Sequence, residues 1–295
     1  MAKVHPTAIL QGEVQLGADV DIGPFCVLTG PMTLGDGVKL MGSNYLQGPL
    51  TIGEKTMLYP HACVGLEPQD IKFKPGHPTA GVAIGANCIL REHVTIHAST
   101  KAEAPTRLGN NCFMLANSHI GHDATVGNFV TMINNSAVGG HGQIGDNVLM
   151  GGGAAVHQFT RVGRFAMIGG LAGASNDLPP FCLAVTVNRI GGINRIGLRR
   201  AGFPREHITA VVSAYFDILR DPKHRDVVIA ELSRRAVELD CPPLAEMADF
   251  VIASKRGIMP GMGKPPREAA AWFKKVGAIG TQAPPPPMGD IEDHE

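Results

Sequence analysis

Stepping by six from Val4, the chain reads Val4, Leu10, Leu16, Ile22, Leu28, Leu34, Leu40, Leu46, Ile52, Leu58 and Val64, all aliphatic. The step resumes in a shifted phase at Ile84, Leu90 and Ile96. Past position 102 it runs from Leu108 through Met114, Ile120, Val126, Met132, Val138, Ile144, Met150, Val156 and Val162 to Ile168. A period of six fits neither the 3.6 of a helix nor the 2 of an ordinary strand. It matches the hexapeptide repeat of a parallel β-helix, in which a short strand points two side chains inward and a turn follows. Small or β-branched residues two positions before the aliphatic one, such as Val20, Cys26, Val94, Cys112 and Ala124, share the interior. Glycine often follows the aliphatic residue, as at Gly17, Gly23, Gly121 and Gly139, and is expected to serve the turn. Three hexads then close a triangular coil of 18 residues, and coils stack at about the 4.7–4.9 Å strand spacing.

Two stretches interrupt the repeat. Residues 66–81 (LEPQDIKFKPGHPTAG) displace its phase by two, and residues 98–106 (ASTKAEAPT) insert without displacing it. Insertions into a solenoid emerge on its surface and often build the binding face. The repeat ends near Ala174, and DLPPF at 177–181 marks a boundary. Beyond Pro204 the period turns helical, with Ile208, Val211, Val212, Tyr215, Phe216 and Leu219 on one stripe. Further helices are expected over 225–239, 243–255 and 267–275. The resulting division is a β-helix over 1–185, a helical domain over 186–280 that caps the open end, and a disordered proline-rich tail over 281–295.

Composition narrows the function classes. Glycine and proline supply 59 of 295 residues, or 20%, below the level of low-complexity disorder, so this chain folds. Its 26 basic and 26 acidic side chains argue against a nucleic-acid coat. The balance is uneven: residues 181–280 carry 16 basic and 10 acidic groups. No apolar run of about 20 residues and no secretory leader occur, so a cytoplasmic protein without a transmembrane segment is expected. The six cysteines show no metal-binding spacing and are expected to be reduced, packing thiols.

Histidines crowd the middle of the repeat at His93, His97, His119, His122, His141 and His157. A coil of 18 residues puts His122, Gly140 and Gln158 in one column and Asp123 with His141 in the next. Neutral imidazole takes a proton from a hydroxyl, a neighbouring carboxylate fixes its tautomer, and a bare glycine N–H suits an oxyanion. These are parts for acyl transfer to an alcohol. Two other readings of the same residues stay open: a polar face used for subunit packing, and a zinc site of the kind that β-helix carbonic anhydrases assemble between subunits. Gly140-His141-Gly142-Gln143-Ile144-Gly145 also fits GxGxxG, but it is in phase with the hexads and opens no helix, which excludes a dinucleotide site.

HPTAI near the start, IGPFC at 22–26, QDIKF at 69–73, REHVTIH at 91–97, NSHIGHD at 117–123, GGH at 139–141 and AVHQF at 155–159 together resemble the UDP-N-acetylglucosamine acyltransferase family of lipid A biosynthesis, over about residues 4–260. The resemblance implies a left-handed coil and a homotrimer with sites between adjacent prisms. It implies His122 as general base, Asp123 as its orienting carboxylate and Gly140 as oxyanion donor. His119, His141, His157 and Gln158 would line the cleft, Asp70, Lys72, Asn194 and Arg200 would contact the sugar nucleotide, and Gly170 would limit acyl length. The donor would be a 3-hydroxyacyl group on acyl carrier protein, an acidic partner for the basic segment 181–280, and the reaction would need no metal or other cofactor.

One stretch departs from the family pattern. In VTVNRIGGINRIGLRRAGF, Ile196 stands where the family has an acidic residue and Ala201 where it has a second arginine. The acceptor is therefore expected to be UDP-N-acetylglucosamine or a related nucleotide sugar such as a 3-amino sugar. A zinc-dependent lyase and a non-catalytic scaffold are the readings from other classes.

Overall fold

Each short strand pairs in parallel with the strand one coil later, and the register gives the coil length directly. Lys3 lies opposite Asp21, Ile22 opposite Leu40 and Thr131 opposite Leu149, each 18 residues on. Across the second insertion Ile89 faces Phe113, a coil of 24. Across the first, Met57 faces Ile89, a coil of 32. The extra residues are thus 6 and 14, one whole hexad and two hexads plus two, which is why only the first insertion shifts the phase. The computed structural model describes residues 1–221 and 223–263. The helix expected over 267–275 and the tail from 281 lie outside the described residues.

The strands form three sheets of 11, 9 and 8 strands, the three faces of a parallel β-solenoid. The hexad aliphatics fill it: Ile22, Leu28, Leu34, Leu40, Leu46, Leu90, Ile96 and Ile120 are fully buried, and Cys26, Cys88, Cys112 and Ala124 take the small inward positions. All six cysteines are free thiols. The first coil is the exception, because no other described residues cover its outer side: Val4 and Leu10 remain 44% and 37% exposed.

The turn chemistry differs from the expectation. Left-handed backbone falls on the third residue after the aliphatic one, at Asp123 (φ 60), Phe129 (φ 56), Asn135 (φ 62), His141 (φ 58) and Asn147 (φ 59). The glycine directly after the aliphatic residue answers a different demand. A Cβ at Gly121 would lie 2.8 Å from the backbone nitrogen of Gly140 on the next coil. Close approach of stacked coils, not a positive φ, excludes a side chain there.

At the far end the chain leaves the repeat through an antiparallel hairpin, Cys182–Thr186 with Arg189–Ile193, so the expected division between residues 185 and 186 falls inside one paired unit. Four α-helices follow among the described residues: α1 (Arg195–Arg200), α2 (Arg205–Ala214), α3 (Arg225–Glu238) and α4 (Pro242–Ile252), with a π-helical turn at Tyr215–Leu219 extending α2. The hairpin and α1 escaped the sequence reading because a strand pair and a six-residue helix are too short to display a period. Arg164 anchors this region to the solenoid, pairing with Glu246 of α4 at 2.7 Å and lying over the rings of Phe165, Phe181 and Phe203. Asp177 is buried between the two parts, accepting from the Arg161 amide and the Ser254 hydroxyl.

Because each coil contacts only its neighbours, a core truncation is felt locally but fully. Leu90→Ala should lower stability by about 2–5 kcal/mol, read as a drop in denaturant midpoint by circular dichroism. An unchanged midpoint would contradict the packed interior.

Candidate active site

Corner turns repeating every 18 residues stack the polar residues between the inward positions into ladders along the edges. At one corner His122 precedes Asp123, and one coil later Gly140 precedes His141, with the His141 amide donating to the His122 carbonyl at 2.9 Å. His122 Nδ1 lies 2.7 Å from Asp123 Oδ2. A carboxylate accepts only, so Nδ1 carries the proton and Nε2 presents a lone pair. That face of the ring looks at Gly140: a Cβ there would sit 2.6 Å from Nε2, so the position has room for a peptide and no more. The Gly140 N–H donates to no atom among the described residues.

His141 completes the corner, with its ring edge-on to His122 at 5.1 Å and stacked on Phe159 at 4.4 Å. Its Nε2 is 3.6 Å from Asp123 Oδ2. Burial pushes the His141 pKa down against the pull of Asp123. His119 lies on the adjoining strand, bonded to Thr95 Oγ1 at 2.8 Å and edge-on to His97. Burial, with the nearby His97 and His122, lowers its pKa to about 4, so His119 is neutral at pH 7. For Asp123, burial disfavours the anion, but hydrogen bonds from Ser99, His122 and Thr100 outweigh it and hold the carboxyl at about 2.

The remaining expected residues spread outward. Asp70 and Lys72 sit in the 66–81 insertion, where Asp70 accepts from the Lys72 amide, and the charge of Asp70 is felt at His141. His157 and Gln158 are exposed on the next coil, where Arg256 from the C-terminal region donates to the Gln158 carbonyl at 2.7 Å. Gly170 lies a coil beyond Gly152, with space for a Cβ. Asn194 is committed elsewhere: its side chain accepts from the Gly197 amide to cap α1 and donates to the Phe165 carbonyl. Arg200 is exposed at the end of α1, far along the chain from the histidine corner.

His93 and His97, four residues apart and a candidate pair for zinc, are held by different partners. His93 stacks on His61 at 5.0 Å, while His97 donates Nδ1–H to the Glu67 carbonyl at 2.6 Å. The donor atoms of His122, Asp123 and His141 do lie within 4.8 Å of one another. Asp123 Oδ2, however, already accepts from His122 and from Thr100 Oγ1 at 2.8 Å, an arrangement of proton donors around an anion.

Sequence reasoning overlooked Ser99, Thr100, Thr106 and Phe159. The signal existed for the first: Ser99 is 24 residues before Asp123, the length of the enlarged coil, so the two share a column.

The chain is similar to known proteins over most of its length. Residues 177–259 fit the family model of UDP N-acetylglucosamine O-acyltransferase, domain 2. An acyl-carrier-protein–UDP-N-acetylglucosamine O-acyltransferase of Aquifex aeolicus is 55% identical over 262 residues, covering 87% of this chain and 97% of the relative. The protein of that name from Thermodesulfovibrio yellowstonii is 38% identical over 260 residues, covering 88% and 99%. The crystal structure of a UDP-N-acetylglucosamine O-acyltransferase from Moraxella catarrhalis superposes with a TM-score of 0.81 at 32% identity, covering 87% of this chain and 99% of that one.

The depressed values of His119 and Asp123 make folding sensitive to acid in two steps. The unfolded chain protonates His119 near 6.5 but the folded one only near 4, so stability present above 6.5 falls away between those values. Asp123 repeats this between 3.8 and about 2. Melting temperature should fall from pH 6.5 to 4, and His119→Gln should flatten that slope. An unaltered slope would reject the assignment.

Proposed function

The chain belongs to the family of acyl-carrier-protein-dependent UDP-N-acetylglucosamine O-acyltransferases, and on that premise we propose that it moves a 3-hydroxyacyl group from acyl carrier protein to the glucosamine 3-hydroxyl of UDP-N-acetylglucosamine, the opening step of lipid A synthesis. The observation that carries this reading is the His122 ring held between the Asp123 carboxylate and the bare peptide of Gly140.

The chemistry follows from the two ring nitrogens. The 3-hydroxyl oxygen attacks the thioester carbon while its proton passes to His122 Nε2. Asp123, ionised throughout the working pH range, stabilises the imidazolium through Nδ1–H. The Gly140 N–H faces the tetrahedral oxyanion. Collapse of the intermediate breaks the carbon–sulfur bond, and the imidazolium returns its proton to the departing thiolate. No step calls on a metal.

His119 and His141, both shifted toward the neutral form, bind polar groups of the substrates without adding positive charge beside the base. Asp70 and Lys72 hold the sugar nucleotide from the 66–81 insertion, and His157 and Gln158 extend the cleft. Asn194 contributes indirectly, by capping the helix that ends in Arg199 and Arg200. Ile196, exposed on that helix, and Ala201 at its end leave the nucleotide with fewer charged contacts than the family pattern supplies. The basic helical region receives the acidic carrier protein. Exposed Phe25, Phe129, Phe159 and Leu171 on the solenoid surface support a homotrimer. No helix among the described residues is long and apolar enough to cross a membrane, in keeping with an enzyme working in the cytoplasm.

Purified protein incubated with 3-hydroxyacyl carrier protein should form ester with UDP-N-acetylglucosamine faster than amide with a 3-amino nucleotide sugar. His122→Ala should reduce ester formation by about 10²–10⁴-fold without changing the oligomer by light scattering. Turnover unaffected by that change rejects the base, and stoichiometric zinc with activity lost on chelation would favour the lyase reading. Gly170→Met, where the backbone leaves room for a side chain, should reduce kcat/KM for the longest accepted acyl donor by about tenfold while sparing shorter ones. Equal loss on all lengths would remove Gly170 from the acyl site.

A further inference from the structure

The six residues by which one coil exceeds 18 close around a single carboxylate. Ser99 Oγ donates to Asp123 Oδ1 at 2.6 Å, and Thr100 Oγ1 donates to Oδ2 at 2.8 Å. The Thr100 amide reaches both oxygens, at 3.2 and 3.3 Å. From the other end of the insertion, Thr106 Oγ1 accepts from the Asp123 amide at 2.8 Å. Ser99 is fully buried, and its hydroxyl also accepts from the Lys101 amide at 3.0 Å, so its donor has one destination. An aspartate held only by His122 could exchange its oxygens by rotation. Held on both oxygens, it cannot do so without breaking several bonds at once.

The same insertion is bonded to the roots of the other one. The Ala98 amide donates to the Leu66 carbonyl at 2.9 Å, the Ser99 amide to Gly81 at 3.1 Å and the Ala80 amide to Lys101 at 2.6 Å. Thr79 Oγ1 donates to the Ser99 carbonyl. Residues 66–81, which carry Asp70 and Lys72, and the 98–106 segment are therefore one hydrogen-bonded unit.

We propose that Ser99 and Thr100 are positioning residues for the transfer, clamping the Asp123 carboxylate in the orientation that presents His122 Nε2 to the acceptor and linking that clamp to the segment bearing Asp70 and Lys72. The proposal rests on the reading of His122 and Asp123 as the base pair. Neither residue touches a reacting atom; both act through Asp123.

Every donor in the clamp favours the ionised carboxylate, so removing donors makes it a stronger proton acceptor. The charged and titratable groups facing this corner are His122 on the same turn, His141 on the next coil, His119 on the neighbouring strand, Lys101 in the clamp and Asp70 in the linked insertion. Lys101 and Asp70 act on His141 in opposite senses, which leaves the hydroxyl donors as the adjustable element.

The test is the pH profile of a Ser99→Ala/Thr100→Val enzyme, with folding checked by circular dichroism. We expect kcat to fall by about tenfold with KM for UDP-N-acetylglucosamine changed less than about twofold, and the acid limb of kcat/KM to move to higher pH. Ser99→Thr and Thr100→Ser, which keep the hydroxyls, should restore both. If the double variant does not fold, Ser99→Ala alone should show the same movement at smaller size. An acid limb that stays in place, or conservative variants that lose as much kcat as the double variant, would overturn the clamp. His122→Ala separates the two failures: if it retains turnover the base reading has failed, whereas an inactive His122→Ala beside an unmoved profile rejects the clamp alone.

Discussion

Everything in the molecule is subordinate to the distance between one coil and the next. Strands of the solenoid pair in parallel and in register, so outside the two insertions a strand residue sits directly above one 18 positions earlier, and the separation is that of a β-ladder. Glycines appear where a Cβ would strike the neighbouring backbone, as at Gly121, and fully buried aliphatics appear where side chains stack. The histidine corner inherits this spacing. His122 and His141 are within ring contact because they occupy consecutive rungs, and Gly140 meets the His122 ring for the same reason.

A regular stack alone would not make a base. The repeat delivers the imidazole and the carboxylate, but the electrostatics that keep Asp123 ionised come from Ser99 and Thr100, which belong to an interruption of the repeat. Burial opposes the anion and hydrogen bonds restore it, with the second effect the larger. At His119 nothing offsets the desolvation of the imidazolium, and burial drives the ring neutral. Burial thus opposes charge on both groups, and only Asp123, with its hydrogen-bond donors, stays ionised against it.

The division between what the sequence disclosed and what it concealed follows from this. Strand positions, interior residues and the columns of His122, Gly140, Asp123 and His141 could be read by counting, because a strict period converts sequence distance into spatial distance. The two insertions were visible as breaks, yet their internal contacts were not, since nothing periodic governs residues 66–81 or 98–106. The role of the hexad glycine was misjudged because composition does not separate a need for positive φ from a need for close approach. Beyond Ala174, where the period stops, the hairpin Cys182–Thr186 with Arg189–Ile193 and the short α1 went unseen. Asn194 shows the limit of reading by resemblance: its side chain is occupied by Gly197 and Phe165, a commitment only coordinates reveal.

The bare first coil has an effect at a distance from itself. A stack in which each layer touches only adjacent layers melts from its least supported end, and here that end is the one where Val4 and Leu10 face water. The opposite end is pinned by Arg164, Glu246 and Asp177. Several intact layers lie between the exposed hydrophobes and His122. Gentle heating is therefore expected to loosen the end at Val4 and Leu10 before the coils that hold His122.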